Sequence, residues 1–236
     1  MEKHHFNKNF IHHQKSKMAN VLREVVFGME DGMVSTLGSI TGIAVGSGNQ
    51  STVLLAGSVI IAVESISMGI GSYLSNKSEE EMNHRKISEE REEIKNYPAE
   101  EKEELFKIYI NEGWPEELAR NMANTASKNE DIFLKEMIIR ELNIPNEQES
   151  ISLKGGIYMF FTYIIGGMIP LASYLLFPIN IAIPVSIATT LAGLFALGMS
   201  TTKFTKQPLL KSGIRVLIMG GIALVAGLAA GILIGE

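Results

Sequence analysis

The 236-residue chain contains no cysteine, which excludes disulfide frameworks, thiolate metal sites and Cys nucleophiles and leaves the redox compartment unread. It has no Gly-x-x-x-x-Gly-Lys phosphate loop, so ATP drive is not indicated. Strand-like alternation is not evident anywhere, and the fold is expected to be all-α. The largest absence is of charge. Residues 32–63, 155–202 and 216–235 hold no Lys, Arg, Asp, Glu or His, three blocks that together make 100 uncharged residues. A soluble chain needs polar residues at regular intervals along every exposed face. An ordinary-looking average of 46% apolar and 20% charged residues therefore conceals a membrane protein with one soluble insert.

About 20 apolar residues, rising about 1.5 Å each, cover a hydrocarbon layer about 30 Å thick. Five segments meet that length: Val25 to Val45, Thr52 to Ser75, Gly155 to Phe177, Ile181 to Thr202 and Gly213 to Gly235. Short uncharged linkers make the first two a hairpin and the third and fourth another. Met1 to Arg23 is polar, so no cleavable signal is expected and segment one itself targets the chain. With the N-terminus inside, the inner regions 1–24, 76–154 and 203–215 hold all 21 Lys/Arg residues. The positive-inside rule then places the N-terminus and the insert in the cytosol and the C-terminus on the opposite side. The expected organisation is a tail (1–24), helices one and two (25–75), an acidic helical insert (76–150) and helices three to five (151–236).

Glycine supplies a packing argument. Gly28/Gly32, Gly38/Gly42/Gly46 and Gly227/Gly231/Gly235 have small-xxx-small spacing, which predicts close helix packing or dimerisation. In the insert, the second helix is expected to run on to Asn96, where Pro98 disfavours helix at Tyr97. A helix from Pro98 stops at Gly113, another starts at Pro115, and a fourth spans roughly Asp131 to Leu142.

Carboxylates at bilayer depth cost about 2.5 to 3.5 kcal/mol each, so those that persist are functional candidates. Glu30 and Asp31 lie in segment one, Glu64 lies in the middle of segment two, and Glu24 sits at the inner end of segment one. Glu24 and Asp31 are two turns apart and share a face, as do Glu64 and Met68 at one turn. If the Asp31 and Glu64 faces oppose each other, two carboxylates and a thioether meet, a set suited to a divalent first-row metal. Burial lets the same carboxylates hold a proton when the metal leaves. The insert carries 20 of the 26 acids, with Glu90/Glu93 and Glu101/Glu104 each paired on one helix face on either side of Pro98. Such convergent carboxylates repel unless a cation bridges them. Lys/Arg clusters read as inner-face anchors, and no nucleic-acid partner is expected.

Phe27-Gly28-Met29-Glu30-Asp31-Gly32, Ser67-Met68-Gly69-Ile70-Gly71-Ser72-Tyr73-Leu74 running into an acidic helix, Arg140-Glu141-Leu142 and Tyr163-Ile164-Ile165-Gly166-Gly167-Met168-Ile169-Pro170 together resemble the vacuolar iron transporter family, over nearly all of the chain after residue 20. That resemblance implies a five-helix homodimer with a cytosolic metal-binding domain between helices two and three. It implies export of Fe2+ from the cytosol in exchange for H+, and no enzyme activity or resident cofactor. The membrane would be a plasma membrane in a prokaryote and a vacuolar-type membrane in a eukaryote. It assigns translocation to Asp31, Glu24 and Met68. It assigns cytosolic metal binding to Glu90, Glu93, Glu101 and Glu104 and to a Met-Met-x-x-Glu element that falls on Met137, Ile138 and Glu141. Two residues depart from the family pattern: Ile138 stands where a second Met is usual, and the acid often found at Ile60 lies one turn later, at Glu64. Mn2+, Zn2+ and Co2+ remain alternative cargoes. The rival reading of a different class is a membrane-bound di-iron ferroxidase, or a protein that binds metal without moving it.

Overall fold

The computed structural model describes residues 18–144, 152–205 and 207–234, and every regular element among them is a helix. In chain order these are α1 (Met18–Ser47), α2 (Gln50–Asn96), α3 (Pro98–Asn111), α4 (Glu116–Ala126), α5 (Glu130–Arg140), α6 (Ser152–Leu176), α7 (Ile179–Thr205) and α8 (Leu209–Ile234). They form two compact units, residues 1–72 with 153–236 and residues 73–152, and α2 contributes to both.

Four helices, α2, α6, α7 and α8, are long and apolar enough to cross a membrane. Four of the five expected spans thus fall on helices that meet this measure, and α1, which carries the first, does not. Its 30 residues would cover about 45 Å. However, its Gly, Ser and Thr residues dilute the apolar content, and Glu24, Glu30 and Asp31 add charge. Many large apolar side chains of the other long helices face outward, among them Leu55, Val59, Ile218, Ile222, Val225 and Leu233. Lipid tails can cover such residues without a free-energy penalty.

The first unit is tied by local chemistry at its turns. Gly48, at φ +59°, closes the end of α1, and its N–H donates to the Ala44 carbonyl at 3.0 Å. The Asn49 side chain then accepts from Thr52 N at 3.1 Å and starts α2. Gln50 Nε2 donates to the carbonyls of Tyr174 and Phe177 at 2.6 and 3.1 Å, answering acceptors that the end of α6 leaves open. Ile40, Ala44, Val53, Ile61, Leu171, Tyr174 and Ala182 form a core where α1, α2, α6 and α7 meet. Pro170 and Pro184 lie inside α6 and α7, and the Ser186 hydroxyl donates to the Pro170 carbonyl at 2.9 Å, bonding the two helices.

The glycine stripes are spent inside the chain. A Cβ on Gly42 would strike the Gly227 backbone, one on Gly227 the Gly38 backbone, and one on Gly231 the Gly42 backbone. Gly28 and Gly32 likewise meet Thr162 and Tyr163 of α6. Only hydrogen at these positions lets α1 approach α8 and α6 so closely.

In the second unit, Leu105, Tyr109, Ala119, Ala123, Phe133, Leu134 and Met137 close a small core with Ile94. Its helix boundaries follow the punctuation in the sequence. Pro98 begins α3, Gly113 at φ +94° turns the chain after it, and Asn129 caps α5 by accepting from Ile132 N at 3.1 Å. The end of α5 is wound back on itself. Leu142 N donates to the Met137 carbonyl at 3.2 Å, Asn143 takes φ +53°, and Ile144 N donates to the Ile138 carbonyl at 3.0 Å.

Candidate metal sites

Glu90 near the end of α2, Glu101 in the first turn of α3 and Glu141 just past α5 converge in the second unit. One carboxylate oxygen from each lies within 4.8 Å of the others. Glu90 is 2% exposed and Glu101 7%, whereas Glu141 opens to solvent. Glu90 Oε1 and Glu101 Oε2 are buried without a hydrogen-bond partner. Unanswered buried acceptors are expensive. Hard cations bind oxygen at about 2.0 to 2.6 Å, so one ion placed among the three carboxylates reaches all of them.

The electrostatics agree. Burial pushes the Glu90 carboxyl up to about 8, with Glu141 and Glu101 adding repulsion. Burial also raises Glu101, followed by repulsion from Glu141 and then Glu104. Glu141 is raised by burial first and by Glu104 next. Near neutral pH the cluster therefore holds a proton in its metal-free state, and a dication that binds must displace it.

Of the other residues expected here, Glu93 and Glu104 are exposed and act on the cluster through charge. Met137 is fully buried in the apolar core one turn before Glu141. Glu81-Met82-Asn83-His84 is a Glu-x-x-His element of the kind used by di-iron bundles. Glu81 and His84 are exposed, His84 lies 3.9 Å from Glu80, and neither belongs to the carboxylate cluster.

In the first unit, Asp31 and Glu30 are half-buried on α1, Glu64 is exposed on α2 and Met68 is half-buried. Asp31 and Glu64 stand within electrostatic range of each other and of the Tyr163 hydroxyl. Among the described residues they do not close into a group of three ligands. Glu24 is 4% exposed, and its carboxylate accepts from Ser72 Oγ and from Arg23 Nη2, both at 2.9 Å. It is thus held by a partly exposed guanidinium, unlike Asp31. The Ser35 and Tyr163 hydroxyls share a hydrogen bond at 2.5 Å, one turn beyond Asp31. Neither Ser35 nor Ser72 was among the expected site residues. The available signal was spacing, since each lies four residues after one that was, Asp31 and Met68 respectively.

The sequence model of the VIT family matches residues 22–232. "Vacuolar iron transporter 1" of Tulipa gesneriana is 31% identical over 211 residues, covering 89% of this chain and 85% of that protein. "Vacuolar iron transporter" of Plasmodium berghei (strain Anka) is 30% identical, covering 93% of this chain and 84% of that protein. "Vacuolar iron transporter 1" of Arabidopsis thaliana is 30% identical, with 93% and 86% covered.

Proposed function

The chain belongs to the VIT family, the vacuolar iron transporters, and from that premise we propose that it exports Fe2+ from the cytosol across a membrane in exchange for protons. The observation that carries the reading furthest is the convergence of the Glu90, Glu101 and Glu141 carboxylates, with one buried oxygen on each of Glu90 and Glu101 left without a hydrogen-bond partner. A transporter of this kind needs a place to gather its cargo, and oxygen donors suit Fe2+ and Mn2+ alike. In this reading α1 is the fifth span, carried in spite of its acids because they serve the cargo. The second unit is cytosolic, with the cluster and the exposed Glu93 and Glu104 concentrating metal at the inner face. Met137 supplies a thioether to that site.

Asp31, Glu64 and Met68 then hold the ion at membrane depth, with Glu24 at the inner entrance. Two copies of the chain make the transporter, and Glu64 on the open face of α2 stands where a second copy adds its own carboxylate. Protons from the far side neutralise the carboxylates, release the metal and supply the driving force. Metal and proton thus alternate on one set of oxygens.

Purified protein in liposomes, loaded with Fe2+, Mn2+, Zn2+ or Co2+ outside and held at a pH difference, tests this directly. Fe2+ flux that rises with the pH difference and exceeds flux of the other ions supports the reading. Preference for Mn2+ makes the protein a manganese exporter of the same fold. Metal binding with no flux makes it a binding protein, and oxygen-dependent oxidation of Fe2+ by the purified chain makes it a ferroxidase.

A further inference from the structure

Next to the carboxylate cluster lies an arginine that touches none of its three ligands through a described hydrogen bond or ion pair. Arg140 Nε donates to Glu136 Oε2 at 2.7 Å, one turn back on α5. Its Nη1 pairs closely with Glu112 Oε2 at the end of α3. Its guanidinium lies over the Tyr109 ring, 4.8 Å from the centroid, and the Tyr109 hydroxyl donates to Glu136 Oε2 at 3.1 Å. Tyr109 is 2% exposed and belongs to the same core as Leu105. A planar fork with two carboxylates and a ring beneath it has little freedom left.

The placement of these groups gives the clamp a consequence. Glu101, Leu105 and Tyr109 recur every four residues on α3, all buried, so they share the face turned inward. Arg140 is the last residue of α5, and Glu141 follows it. One end of the clamp thus grips the helix that carries Glu101, and the other is covalently next to Glu141. We propose that Arg140 is a positioning residue for the metal cluster: bound to Glu112 and stacked on Tyr109, it fixes the last turn of α5 against α3 and thereby sets the Glu141 carboxylate at ligand distance from Glu101 and Glu90. The proposal rests on the reading of Glu90, Glu101 and Glu141 as a metal site.

Charge alone predicts the opposite sign. A guanidinium beside three carboxylates repels a dication, so removing it should tighten binding. A residue that orients a ligand should weaken binding when lost, by on the order of 10–100-fold in metal affinity. The test uses the full chain in detergent with Mn2+ as the probe, bound ion being measured by electron paramagnetic resonance. Glu141→Gln defines which part of the binding belongs to the cluster. Arg140→Gln is expected to weaken that part by on the order of 10-fold or more. Arg140→Lys keeps the charge but not the fork or the flat stack, and is expected to weaken it too, with an altered Mn2+ line shape. Tighter or unchanged binding in Arg140→Lys, with Glu141→Gln still losing the site, overturns the positioning role alone. Unchanged binding in Glu141→Gln overturns the cluster reading and the role of Arg140 with it. If Arg140→Gln fails to fold, Arg140→Lys decides.

Discussion

Replacing Glu90 by glutamine probes the cluster through its proton. The folded carboxyl sits at about 8 against an ordinary 4.5, so between those values the folded chain keeps a proton that the unfolded chain gives up. Stability of the metal-free protein from this group is fully present below about 4.5 and is lost as pH rises toward 8. The slope is up to about 1.4 kcal/mol per pH unit. Unit 2, residues 73–152, is of a size at which 1 kcal/mol moves the melting temperature by about 4–8 °C. The amide in Glu90→Gln does not titrate, so the variant should melt with a shallower pH dependence, Glu101 and Glu141 keeping a remainder. At pH 7 without metal it should be the more stable protein, by roughly 1–3 kcal/mol. Metal reverses the order: an ion at 1,000 times its dissociation constant adds about 4.1 kcal/mol to the wild type, and little to a variant missing its most buried ligand. Trp114 is the only tryptophan and lies in this unit, so its fluorescence follows the melt directly. Parallel pH curves for the two proteins in chelator, or equal stabilisation of both by Mn2+, would refute the reasoning.

Three further outcomes follow from the packing. Gly227→Ala places a methyl against the Gly38 backbone, so it should cost about 1–3 kcal/mol and lower the yield of folded protein by size-exclusion chromatography. Leu105→Ala empties the middle of the small core and should lower the Trp114 melt by the equivalent of about 2–5 kcal/mol, without touching a ligand. Asn143 holds φ +53° where α5 turns back, so Asn143→Val should cost about 1–2 kcal/mol and shrink the Mn2+-induced rise in melting temperature. Asn143→Gly should keep that rise.

Helix existence in the second unit was legible because Pro98, Gly113 and Pro115 are punctuation with a mechanism, and α3 begins and ends where they dictate. Which carboxylates would meet was only half legible. Helical spacing paired Glu90 with Glu93 and Glu101 with Glu104, yet the fold buries the first of each pair and leaves the second exposed. Periodicity tells which residues share a face but not which way that face turns against a neighbouring helix. The third ligand, Glu141, lies 40 residues from Glu101, and spacing within one helix could not have brought it in; only the resemblance named it. Likewise Gly42 and Gly227 carry a small-residue signal each, but nothing in either stripe says that its partner is the other. The charge-free blocks suggested five spans, whereas α1 falls short of the others because its polar residues interrupt the apolar run.

The most direct measurement records Fe2+ and H+ movement together in one batch of liposomes, for the wild type and for Asp31→Ala. Fe2+ moving one way with H+ moving the other in the wild type, and neither moving in Asp31→Ala although the cluster still binds Mn2+, is the expected result. Fe2+ flux that survives in Asp31→Ala, or that runs without any counterflow of protons, would contradict the account.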